Sequence, residues 1–238
     1  MSWADATLTT WGRSRYARVE TVAPPDEEAL RSAVLDTHRR GVITYGGGRC
    51  YGDAALDDRG QTILTEALNQ IVSFDRGTGE IVCESGVTFS MLLDAVLPAG
   101  FCFPVSAATA SVTVGGAFAN DIHSKNHHRV GSFGDHVSWI DIMLASGEVV
   151  RASRTENADI FLASLGGAGL TGTVVRVCFQ LMRIPSQAAD VEYQPLENVD
   201  AMIDTIEASR ESHEFLFGWV DAMATGATLG RGILELGN

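Results

Sequence analysis

The sequence predicts an α+β fold. Three features carry that expectation: short strand-like apolar runs joined pairwise by tight turns, helical stretches with identifiable caps between them, and glycine clusters directly after strand-like runs. Hairpins and helices interleave, so a repeating βαβ sheet is not expected. In chain order, P-P-D-E-E-A-L-R-S-A-V-L-D-T-H-R-R-G reads as the first helix. Pro25 and Asp26 open it, Glu27 and Glu28 suit its positive end, His38 to Arg40 its negative end, and Gly41 stops it. V-I-T-Y is a short buried strand running into Gly46-Gly47-Gly48, and Q-T-I-L-T-E is another strand. I-V-S-F-D and E-I-V-C-E pair across an R-G-T-G turn, and T-F-S-M-L-L-D-A-V-L is a helix capped by Thr88 with Pro98 beyond it. V-S-W-I-D-I-M-L-A and E-V-V-R-A form a hairpin about Ser146-Gly147, N-A-D-I-F-L-A-S-L a helix, and T-V-V-R-V-C-F-Q-L-M a strand after the cluster G-G-A-G-L-T-G. Near Ile184-Pro185 the pattern gives way to a polar connection, then to a helix, N-V-D-A-M-I-D-T-I-E-A, and the strands E-F-L-F-G-W-V-D and R-G-I-L-E-L. This places a domain boundary there: residues 1–183 form one domain, and 184–238 are the beginning of a second, too short to stand alone.

The totals narrow the function. With 45% apolar and 20% charged residues, the 238-residue chain has an ordinary globular composition and can bury a sizeable core. A net charge of -13 and the lack of a basic stripe argue against nucleic acid as a partner. Cys50, Cys83, Cys102 and Cys178 are widely spaced with no metal-ribbon pattern, so free thiols are expected. The N-terminus lacks a signal-peptide pattern and no apolar run approaches the length of a membrane span. The expectation is a cytoplasmic protein without a transmembrane segment, with peripheral membrane contact left open.

Within this acidic chain, D-I-H-S-K-N-H-H-R, Asp121 to Arg129, carries Lys125, Arg129 and three histidines with no carboxylate among residues 123–129, and His136 follows. On charge alone this positive island is either a solvated loop or a place for an anionic group. A metal is not expected, because Ser124, Asn126 and Gly131 break the helix that would set His123 and His127 on one face, and no carboxylate completes a ligand set. A nucleophilic triad is not expected either, since no G-x-S-x-G elbow is present. The run Y-G-G-G-R-C-Y-G-D, Tyr45 to Asp53, lets bare backbone approach a ligand and its successive N–H groups converge on an anion; a tight structural turn explains it equally well. At S-V-T-V-G-G-A-F-A-N, Thr113 caps a short helix from Val114 to Ala119, and Gly115-Gly116 opens its first turn to a ligand or to close packing. Two such glycine sites, a positive island and the later glycine cluster together suit an extended, phosphate-bearing cofactor.

W-G-R at Trp11 to Arg13, G-G-G-R-C-Y-G-D, T-V-G-G-A-F-A-N-D-I-H-S-K-N-H-H, G-S-F-G-D-H and G-L-T-G, in this order, resemble the decaprenylphosphoryl-β-D-ribose oxidases, of the vanillyl-alcohol-oxidase type of FAD oxidoreductases. The resemblance covers most of residues 11–183 and implies a PCMH-type, two-subdomain FAD-binding domain followed by the start of an antiparallel substrate domain that caps the flavin. By position, it places Gly46, Gly47, Gly48, Arg49, Cys50, Tyr51, Gly52 and Asp53 on the pyrophosphate, and packs Ala108, Thr109, Thr113, Val114, Gly115 and Gly116 against the cofactor. Asn120, Asp121, Ile122, His123 and Val174 complete the cradle. Lys125, Tyr51 and His123 fall on the substrate side as the catalytic group, with Lys125 an anion or hydroxyl anchor and Tyr51 a pocket wall. Where relatives with covalent flavin carry histidine this sequence has Arg49, which implies noncovalent FAD. The implied reaction is oxidation of the 2′-hydroxyl of a polyprenyl-phosphate pentose to a ketone, the first half of an epimerisation finished by an NAD(P)H-dependent keto-reductase. An alditol or aldonolactone oxidase using oxygen, and a noncatalytic FAD-binding fragment, are the alternatives.

Overall fold

The computed structural model describes residues 2–37 and 41–238. The chain opens with an antiparallel ribbon, β1 (Ala4–Thr9) and β2 (Tyr16–Val22). Next come α1 (Glu27–Leu35), β3 (Val42–Tyr45) and β4 (Gln61–Leu64), closing a four-stranded sheet in the order β1-β2-β4-β3. β4 runs parallel to both neighbours. The ribbon and the parallel pairs depart from the hairpin-and-helix expectation. The ribbon's alternation, A-D-A-T-L-T and A-R-V-E, rests largely on small residues and lacks a tight turn signal between its strands, and strand direction is a long-range property set by the crossover through α1. In α1 the Asp26 side chain accepts the Ala29 N–H, and Leu30, Ala33 and Val34 recur at helical spacing on the buried face. The helix ends at Leu35, short of Gly41; the cationic end expected at His38 to Arg40 lies outside the described residues.

The second layer is built from β5 (Ile71–Phe74), β6 (Glu80–Glu84), α2 (Phe89–Val96), β7 (Phe101–Cys102), α3 (Val114–Ala119), α4 (His127–Val130), β8 (Val137–Met143), β9 (Val149–Ser153), α5 (Ala158–Ser164), β10 (Thr173–Gln180) and β11 (Met182–Arg183). Five of its strands form an antiparallel sheet, β5-β6-β10-β8-β9, and β7 pairs with β11. Central β10 is apolar along both faces because both are covered. Val174, Val177 and Phe179 enter the larger core, while Val175 joins Val22, Leu30, Ile63 and Met143 in the smaller core against the first sheet. Phe89, Phe118, Phe133, Phe161 and Phe179 are fully buried, and each such ring contributes roughly 2–3 kcal/mol through the apolar area it removes from water. Between the layers, buried Asp141 accepts from Arg151 Nε at 2.9 Å and Arg176 Nη1 at 2.9 Å, and Arg176 reaches Glu27 of α1 at 2.5 Å. These mutually satisfied charges occupy the shallow depression between α1 and β8–β9, which makes it a structural joint.

A third, antiparallel sheet, β12-β14-β13, consists of β12 (Val191–Leu196), β13 (Phe215–Val220) and β14 (Gly232–Gly237). Helix α6 (Val199–Ser209), capped by Asn198, covers one face, where Met202, Leu234 and Leu236 form a small separate core. β12 was not anticipated: its V-E-Y-Q alternation is short and Pro195 interrupts it.

Candidate cofactor and substrate site

Three strands end on one opening. Gly46 follows β3, Thr65 follows β4 and Ser85 follows β6, and all three line a cleft of about 360 Å³ between the first two sheets. The near wall is the loop from Gly46 to Gly52. The far wall is the glycine face of α3 with Asn120, Ile122 and Val174, and Ala168, Gly169 and Gly172 close one end. The β10–β8 register is bulged just after Val174, whose side chain packs in the larger core and lines the cleft, while Val175 enters the smaller core.

The glycines are there because nothing larger fits. A Cβ on Gly46 would stand 2.5 Å from Thr113 Oγ1, and one on Gly115 2.6 Å from the Ser85 Cβ. Gly48 (φ 64°) takes the left-handed turn that lets the loop double back. The loop is braced from outside by the W-G-R turn: Thr10 Oγ1 donates to Gly52 O at 2.7 Å, Tyr45 OH donates to Thr9 O at 2.5 Å, and Arg15 pairs with Asp53 at 3.4 Å. Burial raises the Tyr45 phenol's pKa, with Arg49 opposing, so it stays a neutral donor.

The two glycine sites differ in what they offer. At α3 the Val114 N–H donates to Val87 O, Gly115 N–H to Ser85 O, and Gly116 N–H to Thr113 Oγ1. That helix end therefore gives a ligand close approach but no free donor. Among the described residues the N–H groups of Gly47, Gly48 and Arg49 have no hydrogen-bond acceptor, so of the two sites the loop after β3 is the one with donors to offer an anion.

Two hydroxyls supply the test of a ligand. Ser85 Oγ and Thr65 Oγ1 are buried without a hydrogen-bond partner, yet both residues line the cleft. An unmet buried hydroxyl costs about 1–3 kcal/mol, so such a pair at the floor of a glycine-walled cleft fits a group that arrives with polar edges. The residues present fit a dinucleotide such as FAD. Neither hydroxyl stood out in the sequence; their one signal is the shared position directly after a strand.

Of the expected cofactor residues, Gly46 to Gly52, Thr113, Gly115, Gly116, Asn120, Ile122 and Val174 line the cleft. Asp53, Ala108, Thr109, Val114, Asp121 and His123 lie outside its wall. Val114 is fully buried in the core, Thr109 Oγ1 accepts from Ser111 N, and Asp121 fixes the turn at Phe133 through Gly134 N–H (2.9 Å) and Ser132 Oγ (2.9 Å). Tyr51 projects into solvent, 79% exposed, at the cleft mouth.

The histidine-rich string runs from the cleft to the third sheet. His127 Nδ1 meets Gly131 O, His128 Nε2 meets His213 O at 3.2 Å, and His136 Nε2 meets Val130 O at 2.9 Å, so three imidazoles order backbone. His123 packs its ring edge-on to His127 and bridges to Ser132. Buried Asn126 donates to Pro104 O and accepts from Ser124 Oγ. Among the described residues no three of His, Cys, Asp or Glu converge as a metal would require. Lys125 reaches the third sheet, with Nζ 4.0 Å from Glu235 Oε2 and 4.1 Å above the Phe217 ring, while the Leu216 N–H donates to Lys125 O at 2.9 Å. Glu235 is 110 residues away in the sequence, which is why the string reads as an island without a carboxylate.

Comparison with known proteins identifies the cofactor. Residues 20–153 match the model of the FAD binding domain family. The chain belongs to that family. Its cofactor is FAD. The chain is 36% identical to decaprenylphosphoryl-beta-D-ribose oxidase of Mycolicibacterium smegmatis over 97% of its length and 51% of that protein. It is 27% identical to L-gulonolactone oxidase of Mus musculus, over 79% of the chain and 42% of the relative, and 27% identical to a putative D-arabinono-1,4-lactone oxidase of Neurospora crassa, over 72% and 31%. The chain thus spans about half the length, or less, of these relatives. Among the described residues no helix is long and apolar enough to cross a membrane.

Proposed function

We propose that this FAD binding domain belongs to an oxidoreductase that oxidises a secondary hydroxyl, the 2′-hydroxyl of a polyprenyl-phosphate pentose, to a ketone, and that an NAD(P)H-dependent keto-reductase consumes the product. The observation that carries the reading is the continuity from the glycine-walled cleft, through Ile122 and the histidine-rich string, to Lys125 beneath the third sheet. The 36% identity to a decaprenylphosphoryl-beta-D-ribose oxidase supports the substrate class. When bound, FAD supplies the hydride acceptor. The chain's own work is to grip the pyrophosphate with the loop N–H groups, to meet the cofactor's polar edges with Ser85 and Thr65, and to hold the sugar near Lys125, Tyr51 and His123. On this reading residues 1–183 hold the cofactor, and residues 184–238 begin the cap that covers its substrate side.

The flavin is held noncovalently. Cys50, in the loop, is a poor attacking group because burial raises its thiol pKa, and Arg49 cannot form the linkage a histidine would. Purified protein is expected to be yellow and to release its flavin into the supernatant on acid precipitation. The phosphopentose is expected to bleach the flavin anaerobically, its 2′-deoxy analogue is not, and Lys125→Ala is expected to slow bleaching while retaining FAD. Flavin that remains oxidised with every phosphopentose overturns the reading. The L-gulonolactone oxidase similarity favours a second reading, an alditol or aldonolactone oxidase, which oxygen consumption with a free lactone, in place of bleaching by the phosphopentose, would select.

A further inference from the structure

The face of the third sheet turned away from α6 is unlike a solvated strand surface. Leu216, Leu234 and Leu236 pack with Met202 on the helix side, so strand alternation sends Phe217, Trp219 and Glu235 to the opposite side. There Glu235 pairs across the ladder with both Phe217 and Tyr193, which puts a carboxylate between two aromatic rings. The Trp219 indole Nε1–H donates to Glu235 Oε1 at 2.9 Å, and its ring stands edge-on to Phe217 with centroids 5.0 Å apart. Trp219 is nonetheless 61% exposed and Tyr193 64% exposed. Lys125, arriving from the cofactor domain, places its ammonium over Phe217 and beside Glu235 Oε2.

Charge decides what this arrangement can bind. Lys125 would attract a phosphate were it alone, but a phosphate within hydrogen-bonding reach of its ammonium also faces the Glu235 carboxylate a few ångströms away. Attraction and repulsion of similar size then oppose one another. A sugar hydroxyl has no such conflict, because it accepts from the ammonium and donates to the carboxylate in one contact. The aromatic rings beside the pair offer apolar surface to the C–H face of a sugar ring. We propose that Lys125, Glu235, Trp219 and Phe217 form a subsite for the uncharged, hydroxylated ring of the substrate, with Glu235 selecting the sugar and turning the phosphate away. This rests on the reading that the substrate is a sugar and deepens it by assigning Lys125 to hydroxyl rather than phosphate recognition.

The test uses the FAD-loaded full chain labelled with 15N-tryptophan, in which the Trp219 indole signal is assigned by loss in Trp219→Phe. Methyl β-D-ribofuranoside is expected to shift that signal at millimolar concentration, and inorganic phosphate at equal ionic strength is expected neither to shift it nor to compete. Glu235→Gln is expected to weaken the pentoside about tenfold, as loss of a charged acceptor implies, and to admit phosphate. Glu235→Asp, which keeps the charge on a shorter stem, is expected to weaken the pentoside yet still exclude phosphate, and the flavin spectrum of each variant confirms that it folds. Phosphate displacing the pentoside from the wild type, or an unchanged pentoside affinity in Glu235→Gln, overturns the proposal. A pentoside that binds as described while the phosphopentose never bleaches the flavin sinks the proposed oxidation alone, so the two failures are distinguishable.

Discussion

The glycine-walled cleft and the histidine-rich string lie side by side, and polarity misleads about which of them is prepared for a ligand. The string, from Asp121 to His136, is crowded with ionisable groups, yet most of them are spent: Asp121 on a turn, His127, His128 and His136 on carbonyl oxygens, and Arg129 on Glu211 O at 2.5 Å. The cleft holds mostly glycine and alanine, yet its loop N–H groups and the Ser85 and Thr65 hydroxyls lack partners among the described residues. Buried polar groups are rarely left unpaired unless something else is to pair them, so the less conspicuous region is the better prepared one.

Three substitutions sharpen the contrast or break it. The largest effect is expected from Gly47→Ala, whose added methyl would press on the carbonyl oxygen of Ser111 across the cleft mouth. Repacking of this kind costs about 1–3 kcal/mol, and a loop pushed off its geometry also misaims its donors, so FAD affinity should fall about a hundredfold in a flavin fluorescence titration. Wild-type affinity would mean that the loop is a structural turn. Next is Ser85→Ala. Because the hydroxyl is unmatched without ligand, the apoprotein should unfold at the same or a higher denaturant concentration, while FAD binding weakens about tenfold. A destabilised apoprotein with unchanged FAD affinity would remove Ser85 from the site. The smallest effect is expected from His128→Ala, which loses the contact to His213 O; stability should drop by about 1 kcal/mol with flavin affinity unchanged. A large loss of flavin would show that the string does more than order backbone.

Elements with local signals were legible in the sequence. The helix starts read at Asp26, Thr88 and Thr113 each accept a backbone N–H, and the turns at 75–79 and 144–147 close the hairpins read from paired strand-like runs. The resemblance pointed to FAD, and the glycine loop lies on the cleft as the motif suggested. Long-range facts were hidden. The parallel pairing of β4 depends on a crossover rather than on its own residues, and Thr65 and Ser85 matter only because their strands end together. The balance of Lys125 by Glu235 requires a sheet formed more than a hundred residues later.

The strand order of the first sheet also governs when the pocket can assemble. β3 touches β2 only by way of β4, so until residues 61–64 insert between them the loop leaving Tyr45 has no anchored far end. Closing that gap is a non-local step of the kind that slows folding. Flavin binding at that loop is therefore expected late in folding, after the inner strand has inserted, and free FAD should accelerate the last stage of renaturation rather than the first.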